Sequence, residues 1–117
     1  SPPMPVDSLF FFPKGPAAVK RNEPLKLGGA AFGGTRVTRV DLTTDGGKTW
    51  KEASIVKKMD ADHVWVFWES ELVFPAAGDY FVRVRATDIR GQSQPENDPD
   101  AANGTDEWAA LTVKVRK

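Results

Sequence analysis

The chain has 117 residues, 40% of them hydrophobic, enough to bury one core and fill one domain. Its 16 Lys and Arg balance 16 Asp and Glu, so no long-range field draws it to nucleic acid or anionic lipid, and neither is expected as a partner. With no cysteine, thiolate catalysis, disulfides and cysteine-held metals are excluded, while the compartment stays undecided.

No apolar run matches a membrane span or a signal-peptide core, so a mature chain or an excised piece is expected. Ser1-Pro2-Pro3-Met4-Pro5 reads as a processed start or a cut proline-rich linker. From there the chain reads as strands. Pro5 to Phe12, with prolines at or beside both ends, is an edge strand. Leu25 to Phe32 follows, with Leu25 and Leu27 alternating before Gly28-Gly29-Ala30-Ala31. Arg36 to Thr44 and Lys48 to Val56 flank Asp45-Gly46-Gly47, the strongest hairpin signal present. Val64 to Phe74 and Asp79 to Ala86 form a second pair through Pro75-Ala76-Ala77-Gly78. Residues 91–106 are a long polar loop, and Glu107 to Arg116 closes the domain with Leu111, Val113 and Val115 on one face. No apolar 3.6-residue period persists for three turns, so little or no helix is expected.

Gly78-Asp79-Tyr80-Phe81-Val82-Arg83-Val84 places a tyrosine at the opening of an alternating strand, after a glycine turn. A tyrosine corner has this pattern, its ring inward and its hydroxyl bonded to the preceding loop. Trp50, Trp65, Trp68 and Trp108 fall on several strands, and core filling is the default role for most of them. Together these features predict residues 1–117 as a single all-β domain. Its form is an immunoglobulin-like (E-set type), two-sheet antiparallel sandwich of about seven strands.

The sharpest local motif is Thr43-Thr44-Asp45-Gly46-Gly47-Lys48-Thr49-Trp50. Asp45 bonds the turn backbone, Gly46 and Gly47 supply positive φ, and Trp50 folds back over the hairpin. The spacing resembles the Asp-box of sialidase-type β-propellers, but it occurs once in a chain shorter than three blades, so no propeller follows.

Several segments, in order, resemble the C-terminal domain of sulfite oxidases. They are Pro5-Val6-Asp7-Ser8, Leu27 to Gly34 (LGGAAFGG), Val37 to Trp50 (VTRVDLTTDGGKTW), Trp65-Val66-Phe67-Trp68-Glu69 and Val84 to Pro95 (VRATDIRGQSQP). The resemblance runs from about Pro5 to Pro95. It implies an immunoglobulin-like dimerisation domain of a molybdenum-cofactor oxidoreductase. It also implies that molybdenum-molybdopterin sits in a catalytic domain of a parent or partner, with no cofactor in this chain. In the family the next segment carries a Trp-Asn and, in some members, an arginine facing substrate. Here Glu96 to Trp108 has neither, so no substrate residue carries over, and the family's molybdenum-ligating cysteine is absent.

Other chemistry is sparse. His63, the single histidine, sits between Asp60, Asp62 and a strand, where a solvated turn outweighs a ligand role. No serine has a nucleophile motif around it. The acidic stretch Glu96 to Glu107 places its glycine one position late for an EF-hand, and Asn103-Gly104-Thr105 is a common chance triplet.

On Val64 to Phe74 both faces begin apolar. Val64, Val66 and Trp68 fill the core in one reading, leaving Trp65 and Phe67 for a partner; in the other, loops cover both faces. Val82 and Val84 point inward, so Phe81, Arg83 and Arg85 point outward, a composition enriched at interfaces. A single assembly surface of Trp65, Phe67, Phe81, Arg83 and Arg85 is expected, with no catalytic or metal residue.

Two functions stay open. One is assembly or dimerisation within a sulfite-oxidase-like enzyme, as a fragment or separate polypeptide beside a molybdopterin-binding subunit. The other is an independent module for carbohydrate or protein. A periplasmic or secreted setting is expected ahead of a cytoplasmic one, and fold alone does not choose between the two functions.

Overall fold

The computed structural model describes residues 6–58, 65–93 and 108–117. They form β1 (Asp7–Phe12), β2 (Ala17–Lys20), β3 (Leu25–Phe32), β4 (Val37–Thr43), β5 (Lys51–Glu52), β6 (Ser54–Lys58), β7 (Trp65–Leu72), β8 (Gly78–Asp88) and β9 (Ala109–Arg116). A four-stranded sheet runs β1-β3-β7-β6 and packs on a five-stranded sheet, β2-β9-β8-β4-β5.

Period-2 alternation decides which side of each strand is buried. On β8, Val82, Val84 and Ala86 are fully buried; on β9, Val113 is fully buried and Leu111 and Val115 are buried. On β7, Val66 and Trp68 point inward, against Leu27 and Ala31 of β3 and Val40 and Leu42 of β4 in one core. Trp68 is the large aromatic at the centre. Its indole N–H donates to the Ala30 carbonyl at 3.2 Å, and Phe10 meets its ring edge-on at 5.5 Å.

Several strand expectations need correction. The hairpin at Asp45-Gly46-Gly47 exists, but its return strand β5 pairs only at Glu52 and Lys51 before the chain crosses to the other sheet as β6. The pairing expected between Val64 to Phe74 and Asp79 to Ala86 does not form among the described residues: β7 and β8 lie in different sheets. The segment between them carries the chain from the four-stranded to the five-stranded sheet, where β8 lies between β9 and β4. A further strand, β2, pairs parallel to β9 (Ala17 opposite Val113), whereas every other pairing is antiparallel.

The Tyr80 hydroxyl donates to the Ala76 carbonyl at 2.8 Å, while its ring packs on Phe74 at 4.6 Å. This geometry locks the crossing segment to the start of β8. At the other end of β8, the buried Asp88 carboxylate accepts from the amides of Arg90 and Gln92, each at 3.0 Å, and from the Arg90 guanidinium at 2.7 Å. Burial pushes its pKa up, but the Arg90 side chain and these two amides together bring it below the usual carboxylate range.

Candidate assembly surface

A sandwich has two outer faces, and they differ here. The outer face of the four-stranded sheet is apolar at its centre. Gly28 and Ala30 of β3 point outward and form a floor, with Ala30 completely covered. The Phe12 ring lies over Gly28, where a Cβ would come within 2.2 Å of it. Phe67 stands beside Ala30 in register and meets Phe11 edge-on at 5.6 Å. Trp65 pairs with Phe32 and stacks on it at 5.2 Å, yet stays 45% exposed. Val56, at a bulge in β6, is 50% exposed and Phe11 is 40% exposed. Between Phe11, Phe12, Val56 and Phe67 lies a depression of about 140 Å³.

The outer face of the five-stranded sheet is covered by the chain itself only over β4 and the adjoining part of β8; Phe81 and Thr112 lie exposed beside that layer. Trp50 and Trp108 meet edge-to-face at 4.8 Å. The Arg85 guanidinium stacks over Trp50 at 3.8 Å, and Arg83 lies 5.0 Å over Trp108 and bonds its carbonyl at 3.1 Å. Beneath this layer Asp41 and Thr43 point outward from β4, opposite Arg85 and Arg83, yet each is only 1% exposed. Asp41 is balanced by a two-oxygen bond from Arg39 Nε, 2.9 Å to each. Phe81, 54% exposed, is the outermost aromatic of this face.

The single surface expected from the sequence is therefore two. Trp65 and Phe67 face out from one sheet, and Phe81, Arg83 and Arg85 from the other, on opposite sides of the sandwich. The reason is the crossing between β7 and β8: two outward rows that would adjoin within one sheet point apart when the strands belong to different sheets. Trp50 is likewise no core residue. It is half-buried on the outer side, its indole N–H donating to the Gly47 carbonyl at 3.1 Å.

The turn that holds Trp50 is built from hydroxyls and a carboxylate. The Thr43 hydroxyl donates to Asp45 Oδ1 at 2.8 Å and accepts from the Gly47 amide at 2.9 Å. The Thr49 amide donates to Asp45 Oδ1 at 2.9 Å, and the Thr49 hydroxyl to Oδ2. Those bonds from the Thr49 hydroxyl and amide, with that from Thr43, hold the Asp45 carboxyl far below the usual range. Gly46 and Gly47 take φ of 75° and 94°, conformations that other residues enter only with strain.

A groove of about 370 Å³ opens where β1 leaves one sheet and β2 joins the other, but Lys14 is its one charged lining residue. Among the described residues there is no group of three or more His, Cys, Asp or Glu able to hold a metal. His63 with Asp60 and Asp62, Val64, the Glu96–Glu107 stretch and Asn103-Gly104-Thr105 lie outside the described residues. Sequence reasoning missed Phe11, Phe32 and Val56 as members of the apolar face. The Phe10-Phe11-Phe12 run was its one available signal, since a strand buried on one side has no need of three successive aromatics.

The two sheets, with a strand switching between them at β1 and β2 and a tyrosine at the opening of β8, define an immunoglobulin-like sandwich. Solved structures agree on that fold. Sulfane dehydrogenase SoxCD from Paracoccus pantotrophus matches with a TM-score of 0.69 over 95% of this chain and 30% of that chain, at 24% identity. A fibronectin(III)-like module structure of Clostridium thermocellum CbhA matches at 0.64 over 97% of this chain and 47% of that chain, at 17% identity.

Sequence comparison goes further than fold. The family model described as the Mo-co oxidoreductase dimerisation domain matches residues 2–115, and the chain belongs to that family. Sulfite oxidase of Gallus gallus is 34% identical over 98 residues, 80% of this chain and 21% of the relative. Nitrate reductase (NADH) 1 of Phaseolus vulgaris is 37% identical over 81 residues, 62% of this chain and 9% of the relative. The chain thus corresponds to a minor part, 9% to 21%, of such relatives.

Proposed function

We propose that this chain is the assembly module of a molybdenum-cofactor oxidoreductase of the sulfite oxidase or nitrate reductase type. It pairs with a second copy of itself and carries no catalytic group of its own. The observation that carries the reading is the match of residues 2–115 to a dimerisation domain family, joined to a sheet face whose aromatics are left open. Apolar patches of this kind mark contact sites when they are contiguous. The chain's donor set does not fit the cofactor: there is no cysteine thiolate, and the described residues hold no cluster of ligating side chains. The cofactor and the reacting groups therefore belong to a catalytic domain or subunit that this module holds in place. An independent carbohydrate- or protein-binding role has no observation in its favour.

Size-exclusion chromatography with light scattering and metal analysis tests the proposal. The purified chain is expected to elute at twice its 12.8 kDa mass, without molybdenum and without sulfite-oxidising activity. Molybdopterin retained at one per chain would overturn the non-catalytic reading. A monomer at every concentration would overturn the pairing.

A further inference from the structure

Given that pairing, on which this step rests, we infer that the two copies meet through the outer face of the four-stranded sheet, with Trp65, Phe67, Phe11 and Val56 at the centre of the contact. Three observations converge. First, this face has the anatomy of a contact: an apolar centre over the Gly28–Ala30 floor, and a rim of both charge signs, Lys26 and Lys57 with Glu69 and Glu71. A two-fold axis brings each patch against its own copy, so a rim carrying both signs can pair with itself, whereas a rim of one sign would repel. Second, the depression between Phe11, Phe12, Val56 and Phe67 is a concavity in this face, with room for a side chain of the other copy. Third, the alternative face is closed over β4. Asp41 and Thr43 point outward from the five-stranded sheet but are 1% exposed, because Trp50, Trp108, Arg83 and Arg85 lie over that side. A partner there would meet a finished layer, while on the four-stranded sheet Trp65 stays 45% exposed beside its stacked neighbour Phe32.

Light scattering on charge variants of the two faces decides the matter. Trp65→Glu and Val56→Glu each place a carboxylate in the apolar centre at a position about half exposed in the single copy, so folding should survive. Each is expected to weaken pairing at least about 100-fold, because the contact would bury an uncompensated charge. Phe81→Glu, equally exposed on the opposite face, is expected to leave pairing unchanged. A wild type that stays monomeric sinks the assembly reading itself. A wild-type dimer that Trp65→Glu and Val56→Glu leave intact, but Phe81→Glu dissociates, sinks only the assignment of the face. Far-ultraviolet circular dichroism of every variant separates loss of pairing from loss of fold.

Discussion

Trp68 and Trp50 illustrate how differently one residue type can serve a small sandwich. Trp68 is 1% exposed between the sheets with its indole N–H bonded, so Trp68→Ala should cost about 3–5 kcal/mol, the range for emptying a large aromatic site. Trp50 is half-buried on the outer side. It contributes an edge-to-face contact with Trp108 and a stacked Arg85, so Trp50→Ala should cost less, about 1–2 kcal/mol. Denaturant unfolding compares the two, and a greater loss at Trp50 would show that the outer layer matters more than the core. Tyr80→Phe removes only the bond to Ala76 and should cost about 1 kcal/mol. Asp45 contributes a pH dependence. Its folded-state pKa is depressed by Thr49 and Thr43, so its stabilisation is complete above the unfolded value, about 4, and is lost as pH falls through the lower folded value. Asp45→Asn should therefore lose less stability than wild type between pH 6 and pH 2. Equal acid losses would mean that the turn does not draw on the carboxylate's charge.

At the scale of elements, the β1–β3 pairing depends on the missing side chain at Gly29. A Cβ there would come within 1.9 Å of the Leu9 carbonyl oxygen, which belongs to the paired backbone and cannot step aside. At Gly28 the obstacle is the Phe12 ring, which can rotate away. Gly29→Ala should thus destabilise by about 3 kcal/mol, the upper end for overpacking, and Gly28→Ala by about 1 kcal/mol. Thermal unfolding showing the reverse order would place the strain on the other side of β3. Much of this layer was legible in the sequence, because alternation reports which side of a strand is buried. Leu25 to Phe32 is bounded as read, and Val82, Val84, Leu111, Val113 and Val115 point inward as read, the β8 row running on through Ala86. Alternation does not report which strand lies alongside. Hence the segment Pro75-Ala76-Ala77-Gly78 looked like a hairpin turn, although it crosses between sheets. β2 was also hidden: within four residues only Val19 is buried, and its partner β9 lies at the far end of the chain. Trp65 and Phe67 double the apolar pattern, which alone leaves open whether a partner or loops cover them; the register with Phe32 and Ala30 is what places both outward. Phe11 and Val56 reach the same face through bulges at Phe10/Phe12 and Ile55/Lys57, register shifts that no residue pattern announces.

Over the whole molecule, a chain of zero net charge presents one side covered in part by its own tryptophans and arginines and another left apolar and open at its centre. On the proposal above, that asymmetry directs pairing to the open side. The absence of cysteine makes the claim directly measurable, since one introduced thiol gives one spin label per chain. Lys57→Cys marks the rim of the open face, and Thr112→Cys, exposed opposite Phe81, marks the other. If two copies meet through the four-stranded sheets, pulsed electron paramagnetic resonance should give a label-to-label distance across the dimer that is shorter at position 57. The separation at position 112 should exceed it by roughly 20 Å, because two further sheet spacings of about 10 Å intervene. A shorter distance at position 112, or no inter-chain distance at either position in a concentrated sample, would contradict the account.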